Sequence, residues 1–160
     1  GIKYYSTVNG NDATVFVETF SNSDNVFIEL YDQENNLVSQ QKGTKVSFLV
    51  KDAHLWNGLI DPYLYKIVAK IICDDEVLDE ISCNCGIRTF KVDPKKGFFL
   101  NGKSYPLHGV SRHQDRKALG NAISYEMMDE DMNLIKEIGA NTIRLAHYQH
   151  NQYFYFQYRR

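Results

Sequence analysis

The sequence predicts a mainly β chain of 160 residues: an antiparallel sandwich of immunoglobulin-like size over residues 1–90, then, over residues 91–160, a smaller segment built on one strand–helix–strand unit. Three observations carry this. Apolar residues alternate with period two from Ala13 to Ile81, an Asn101-Gly102 pair separates two strand-like stretches, and a helix-period stripe lies between Pro106–Val110 and Asn141–Ala146.

In chain order, Val15, Val17 and Thr19 point opposite to Phe16, Glu18 and Phe20, and Val26, Ile28 and Leu30 alternate with Phe27, Glu29 and Tyr31. That is the side-chain period of strands buried on one face. Asp32-Gln33-Glu34-Asn35-Asn36 forms a polar turn before Leu37-Val38, Val46–Val50 resumes the alternation, and Asp74-Asp75 turns a long strand over Tyr63–Cys73 back into Val77–Ser82. About six or seven short strands with no helical stretch between them suit a sandwich of two antiparallel sheets. Phe98–Tyr105 reads as a hairpin, because Asn101-Gly102 tolerates the positive φ that a type I′ turn needs at both central positions. Pro106–Val110 follows as a buried strand. Ser124 caps a helix whose apolar face is Met128, Met132, Ile135 and Ile138, and Gly139 stops it. Asn141–Ala146 is then a second strand, parallel to the first because a crossover helix joins them. The period changes near Thr89–Asp93 without a Pro-rich or low-complexity linker, which marks a boundary and no flexible tether.

Composition narrows function by exclusion. With 18 Lys and Arg against 20 Asp and Glu, a net charge of −2 and both signs scattered, the chain has no electrostatic footprint for nucleic acid. No apolar run approaches the roughly 18 to 20 residues of a membrane helix, and Gly1–Gly10 lacks the basic start and apolar stretch of a signal peptide. Neither a nucleic-acid nor a membrane partner is expected. Cys73, Cys83 and Cys85 are odd in number; Cys83 and Cys85 fall on one side of a strand, which suits reduced, buried thiols better than a disulfide or zinc site.

Polar and ionisable residues gather after both strands of the strand–helix–strand unit: Ser111 to Arg116 after the first, Arg144 and His147 to His150 after the second. The carboxyl ends of parallel strands are where α/β folds collect ligand-binding and catalytic groups. His147 and His150, three apart, suit a metal only if His113 or Asp115 completes the set; with no placed carboxylate beside them, no metal is expected. Trp56, Tyr63 and Tyr65 read as core aromatics, and Met127, Met128 and Met132 as packing residues.

Several stretches occur in a telling order: Leu55-Trp56-Asn57 with Asp61-Pro62-Tyr63-Leu64-Tyr65, Gly86-Ile87-Arg88, Phe99-Leu100-Asn101-Gly102-Lys103, Gly109-Val110-Ser111-Arg112-His113, and Gly139 through Tyr148. Together they resemble the β-galactosidase branch of glycoside hydrolase family 2. The resemblance implies a large enzyme in which a sugar-binding jelly roll precedes the immunoglobulin-like domain and a (β/α)₈ TIM barrel follows it. Such a barrel needs about 250 residues. The chain is therefore expected to be a fragment: the sandwich plus the incomplete N-terminal part of the barrel, inactive by itself. The retaining mechanism uses two glutamates about 5 Å apart on later barrel strands, so no catalytic residue is expected in this segment; Glu126, Glu130 and Glu137 lie on the first helix and do not replace them. By the same resemblance His113 reaches the sugar site, His147 contacts sugar hydroxyls near the transition state, and Arg144 pairs with the nucleophilic glutamate. Any Mg or Na of the parent family would sit outside this segment, which needs no cofactor of its own.

Gln114 and Asp115 stand where family members often have Glu after Arg-His, which keeps β-galactoside, β-glucuronide and β-mannoside all in play. The strings from Arg112 to Arg116 and from Ala146 to His150 favour the galactoside. Two other readings stand beside this one: a non-catalytic binding or scaffold module, and a metal-dependent hydrolase using His113, His147 and His150. The compartment is left between cytoplasm and periplasm. Unclosed sheet edges predict self-association, or disorder of the last dozen residues, whose final five resemble a foreign or truncated tail.

Overall fold

The computed structural model describes residues 1–158. Two compact units emerge, one of residues 1–93 with 99–103, the other of residues 94–98 with the chain from 104 onward.

In the first unit, β1 (Ile2–Asn9), β2 (Asp12–Thr19) and β5 (Lys45–Val50) form one sheet in the order β1-β2-β5. The second sheet runs β4 (Leu37–Lys42), β3 (Val26–Tyr31), β6 (Tyr65–Cys73), β7 (Glu76–Cys85), and every pairing in both is antiparallel. The predicted alternation is what closes the core. Ala13, Val15 and Val17 of β2 and Phe48 and Val50 of β5 meet Val26, Ile28 and Leu30 of β3 and Tyr65, Ile67 and Ala69 of β6. Asp74 and Asp75 turn β6 into β7 with φ of 49° and 64°, the left-handed geometry of a tight hairpin.

One expectation, that of the buried thiols, needs correction in this unit, and two features go beyond the sequence reading. β1 lies before the alternation read from Ala13, because its inward positions, Ile2, Tyr4, Ser6 and Val8, mix polar with apolar residues. Leu37 and Val38 are exposed on an edge strand. Among the thiols Cys85 is buried and Cys83 packs beside it on the same face, but Cys73 is exposed, because it ends β6 at the turn.

β8 (Phe90–Asp93), β9 (Gly97–Leu100) and β10 (Lys103–Ser104) form a small sheet in the order β10-β9-β8. Asn101 and Gly102 join β9 to β10 with φ of 49° and 77°, as the turn chemistry predicts. The Asn101 amide donates to the Trp56 carbonyl and the Asn57 side chain, and its oxygen accepts from the Thr89 N–H.

In the second unit β11 (Gly109–Arg112) pairs in parallel with β12 (Thr142–Leu145) across α1 (Tyr125–Glu137), and α2 (Gln152–Tyr158) follows. The Ser124 hydroxyl caps α1 at the Met127 N–H, and Gly139 leaves it at φ 73°. Met128 and Met132 are buried with Ile123 and Phe154. A Cβ at Gly109 would lie 3.1 Å from the Thr142 carbonyl oxygen, tighter than an ordinary contact, so the close strand approach favours glycine there.

The first strand lies later than Pro106–Val110. Pro106 has no N–H for a ladder, and the Asn141 side chain holds this segment outside the sheet, donating to the Pro106 carbonyl and accepting from the His108 N–H, each at 2.8 Å. Ile138, expected on the buried stripe, is the exposed C-cap residue. The last dozen residues, for which disorder is the expected alternative to self-association, include α2 to Tyr158; residues 159–160 of the expected foreign or truncated tail lie outside the described residues.

Candidate functional site

The parallel register brings Ser111 opposite Arg144 and Arg112 opposite Leu145, so the segments after β11 and β12 emerge side by side. His113, Arg144 and His147, singled out from the sequence, meet here and are all exposed. The His113 and His147 rings stand edge to face with centroids 5.6 Å apart, and Arg144 Nη2 makes a long contact of 3.4 Å to His147 Nδ1. Because guanidinium only donates, that nitrogen of His147 is the acceptor. The Ala146–His147 peptide is cis. Tyr148 completes the rim, its ring 6.3 Å from that of His113 and its hydroxyl accepting from the Gln114 N–H at 2.9 Å.

Beneath this rim lies a charged layer that sequence reasoning did not assemble. Arg112, the last residue of β11, is buried and donates through Nε and Nη2 to Asp131 Oδ2 at 2.9 and 2.7 Å. Its Nη1 donates to Nδ1 of the buried His150 at 2.9 Å, and its guanidinium lies 3.9 Å from the Phe154 ring centroid. His150 Nε2 donates to the Ala146 carbonyl at 3.2 Å, so the two partners fix the tautomer: Nδ1 bare, Nε2 protonated. Arg116 reaches the other Asp131 oxygen at 2.9 Å, the Met127 carbonyl and Glu130. The hydrogen bond to Glu130, with help from Asp131 and against the cost of desolvation, raises Arg116 above the usual arginine value. Two guanidiniums thus face two carboxylates, a balanced set that a partly buried site tolerates.

Of the sequence candidates, His150 turns inward, and Asp115 is exposed. Among the described residues no three His, Cys, Asp or Glu side chains are placed to hold a metal. Glu126, Glu130 and Glu137 lie on α1, as expected. Arg112 and Gln114 belong to the Ser111–Arg116 cluster that the sequence singled out, without a role of their own there; the missed member is Asp131. Asp131 carried a usable signal, since it interrupts the apolar stripe between Met128 and Met132; an acidic residue at such a position needs a buried partner.

Residues 3–88 match the family model described as glycosyl hydrolases family 2, and residues 90–158 match that for the TIM barrel domain of glycosyl hydrolases family 2. A β-glucuronidase of Bacteroides fragilis is 42% identical over 127 residues, covering 77% of this chain and 18% of the relative. A β-galactosidase of Bacteroides ovatus is 34% identical over 150 residues, covering 86% of this chain and 18% of the relative. The crystal structure of an FMN-binding β-glucuronidase from Facaelibacterium prausnitzii L2-6 matches with a TM-score of 0.91 and 40% identity, over 99% of this chain and 26% of that one. The chain thus spans about a fifth to a quarter of the length of these relatives.

Proposed function

The chain belongs to glycosyl hydrolase family 2, and from that premise we propose that it supplies the immunoglobulin-like domain and the opening of the catalytic barrel of a retaining β-glycosidase. The observation that carries this is the convergence of His113, Arg144 and His147 at the carboxyl ends of two parallel strands, within the residues that match the family's barrel domain. In the complete enzyme His113 and His147 contact the glycone, and the Arg144 guanidinium keeps the nucleophilic carboxylate ionised and aimed. Both glutamates come from sequence outside this segment, so the 160-residue chain turns over no glycoside.

The glycone we propose first is a β-D-glucuronide, supported by the 42% identical relative and by the matched crystal structure, both β-glucuronidases. The second reading, a β-D-galactoside, is the one the sequence strings favour, and the Bacteroides ovatus relative supports it. Assay of the complete enzyme on p-nitrophenyl β-D-glucuronide and β-D-galactoside separates them. A kcat/KM at least tenfold higher on the glucuronide is expected; the reverse ratio establishes the galactoside, turnover of neither overturns both glycone readings, and turnover of neither these nor p-nitrophenyl β-D-mannoside overturns the glycosidase reading.

A further inference from the structure

The buried layer under the rim has no part in the roles just given. Arg112 and His150 are almost fully enclosed, yet both are polar and every nitrogen named above has a partner. We propose that Arg112, Asp131, His150 and Gln114 form a clamp that sets the position of the segment from Ala146 to Asn151, and through it of His147. These are positioning residues. The inference rests on the glycosidase reading for its catalytic consequence, though not for the clamp itself.

The clamp grips that segment at both ends. At its start the Ala146 N–H donates to the Arg112 carbonyl at 3.1 Å, while the Ala146 carbonyl accepts from His150 Nε2 at 3.2 Å. At its end the Asn151 N–H donates to Gln114 Oε1 at 2.6 Å. Between the two, Tyr148 is held by the Gln114 N–H. His150 is the pivot, because one ring nitrogen faces its own segment and the other faces Arg112. Asp131 of α1 anchors Arg112 in turn through two donors to one oxygen. His147 is thus an exposed residue of a segment in which Ala146, Tyr148, His150 and Asn151 are each tied down. Gln114 also acquires a role: the position needs an acceptor for the Asn151 N–H, and a neutral amide supplies it without adding a third carboxylate to the balanced layer.

The test pairs hydrogen exchange on the 160-residue chain with kinetics on the complete enzyme. Glutamine can place an acceptor toward Arg112 and a donor toward Ala146, whereas leucine can do neither. His150→Leu is expected to lower protection of the Ala146 and Asn151 amides at least tenfold while the amides of α1 keep theirs; His150→Gln restores most of it. In the complete enzyme, kcat per active site, titrated with a 2-deoxy-2-fluoro glycoside, falls about 100-fold in His150→Leu, the scale of a roughly 1 Å misplacement. KM changes less than threefold, and His150→Gln recovers most of the rate. Unchanged exchange in His150→Leu overturns the clamp. Loosened amides with full kcat per titrated site overturn its catalytic role. If His150→Leu does not fold, Gln114→Leu, which removes only the Asn151 contact, is read in the same two ways. Should the wild-type enzyme cleave no glycoside, the functional reading falls, while the exchange experiment still decides whether the clamp exists.

Discussion

The two units are held together by different means. The sandwich buries a continuous apolar cluster contributed by both sheets, so its inward residues find partners within the unit. The second unit has two parallel strands joined by a crossover helix and, among the described residues, a smaller buried apolar cluster of Ile123, Met128, Met132 and Phe154, with partly buried neighbours around it. Parallel sheets are normally covered on both faces; here ion pairs and hydrogen bonds among Arg112, Arg116, Asp131 and His150 do much of the joining between helix and strand ends. The contrast teaches that non-directional packing suffices where a layer architecture is complete, whereas the part that must present side chains at set positions relies on directional contacts.

The comparison breaks first if the sandwich core tolerates a hole. Phe48 is fully enclosed, so Phe48→Ala is expected to destabilise the first unit by about 3–5 kcal/mol in urea unfolding; a loss under about 1 kcal/mol would mean the cluster is not what holds it. Next in size is Arg112→Leu, which strands His150 Nδ1 and removes two donors from Asp131, for a loss of about 2–3 kcal/mol confined to the second unit. An unchanged unfolding curve would put the polar layer among surface ion pairs of little consequence. Ser124→Ala, by removing the α1 cap, is expected to cost about 1 kcal/mol, read as weaker amide protection in the first turn of the helix.

The smallest effect is an acid limb in the sandwich. Burial pushes the Glu29 carboxyl up, but hydrogen bonds from Lys70 at 2.8 Å and from the Tyr31 hydroxyl at 2.8 Å outweigh it, so the group sits below the usual glutamate range. The partner agrees, since Lys70 is raised by the same bond. A lowered folded value means this contribution is fully present above the usual glutamate range and is lost as pH falls through the folded value. Glu29→Gln is therefore expected to make the loss of sandwich stability less steep as pH falls from neutral through and below the usual glutamate range; an identical slope in the variant would remove Glu29 from the account.

Legibility differed between the units for physical reasons. Strands β2, β3, β5, β6 and most of β7, the Asp74-Asp75 and Asn101-Gly102 turns, and the Ser124-to-Gly139 helix limits follow from side-chain period, caps and φ preferences that act over a few residues. β1 was illegible because its inward face mixes serine and tyrosine with isoleucine and valine, and the start of β11 because Asn141, far along the chain, captures the hydrogen bonds of Pro106 and His108. His113, Arg144 and His147 were found because strand ends can be located from pattern, and ordered motifs pointed to the family.

Sequence by itself thus determined the layer class of the first unit, the crossover in the second, the family, and which residues lie at the strand ends. Tertiary structure alone decided that His150 faces inward onto Arg112, 38 positions away, and that Asp131 meets Arg112 from 19 positions along the chain. Those pairings depend on where a parallel crossover returns the chain, and there Met128 and Met132 of α1 pack with Phe154 and with Ile143 and Leu145 of β12, contacts between segments that no local pattern specifies.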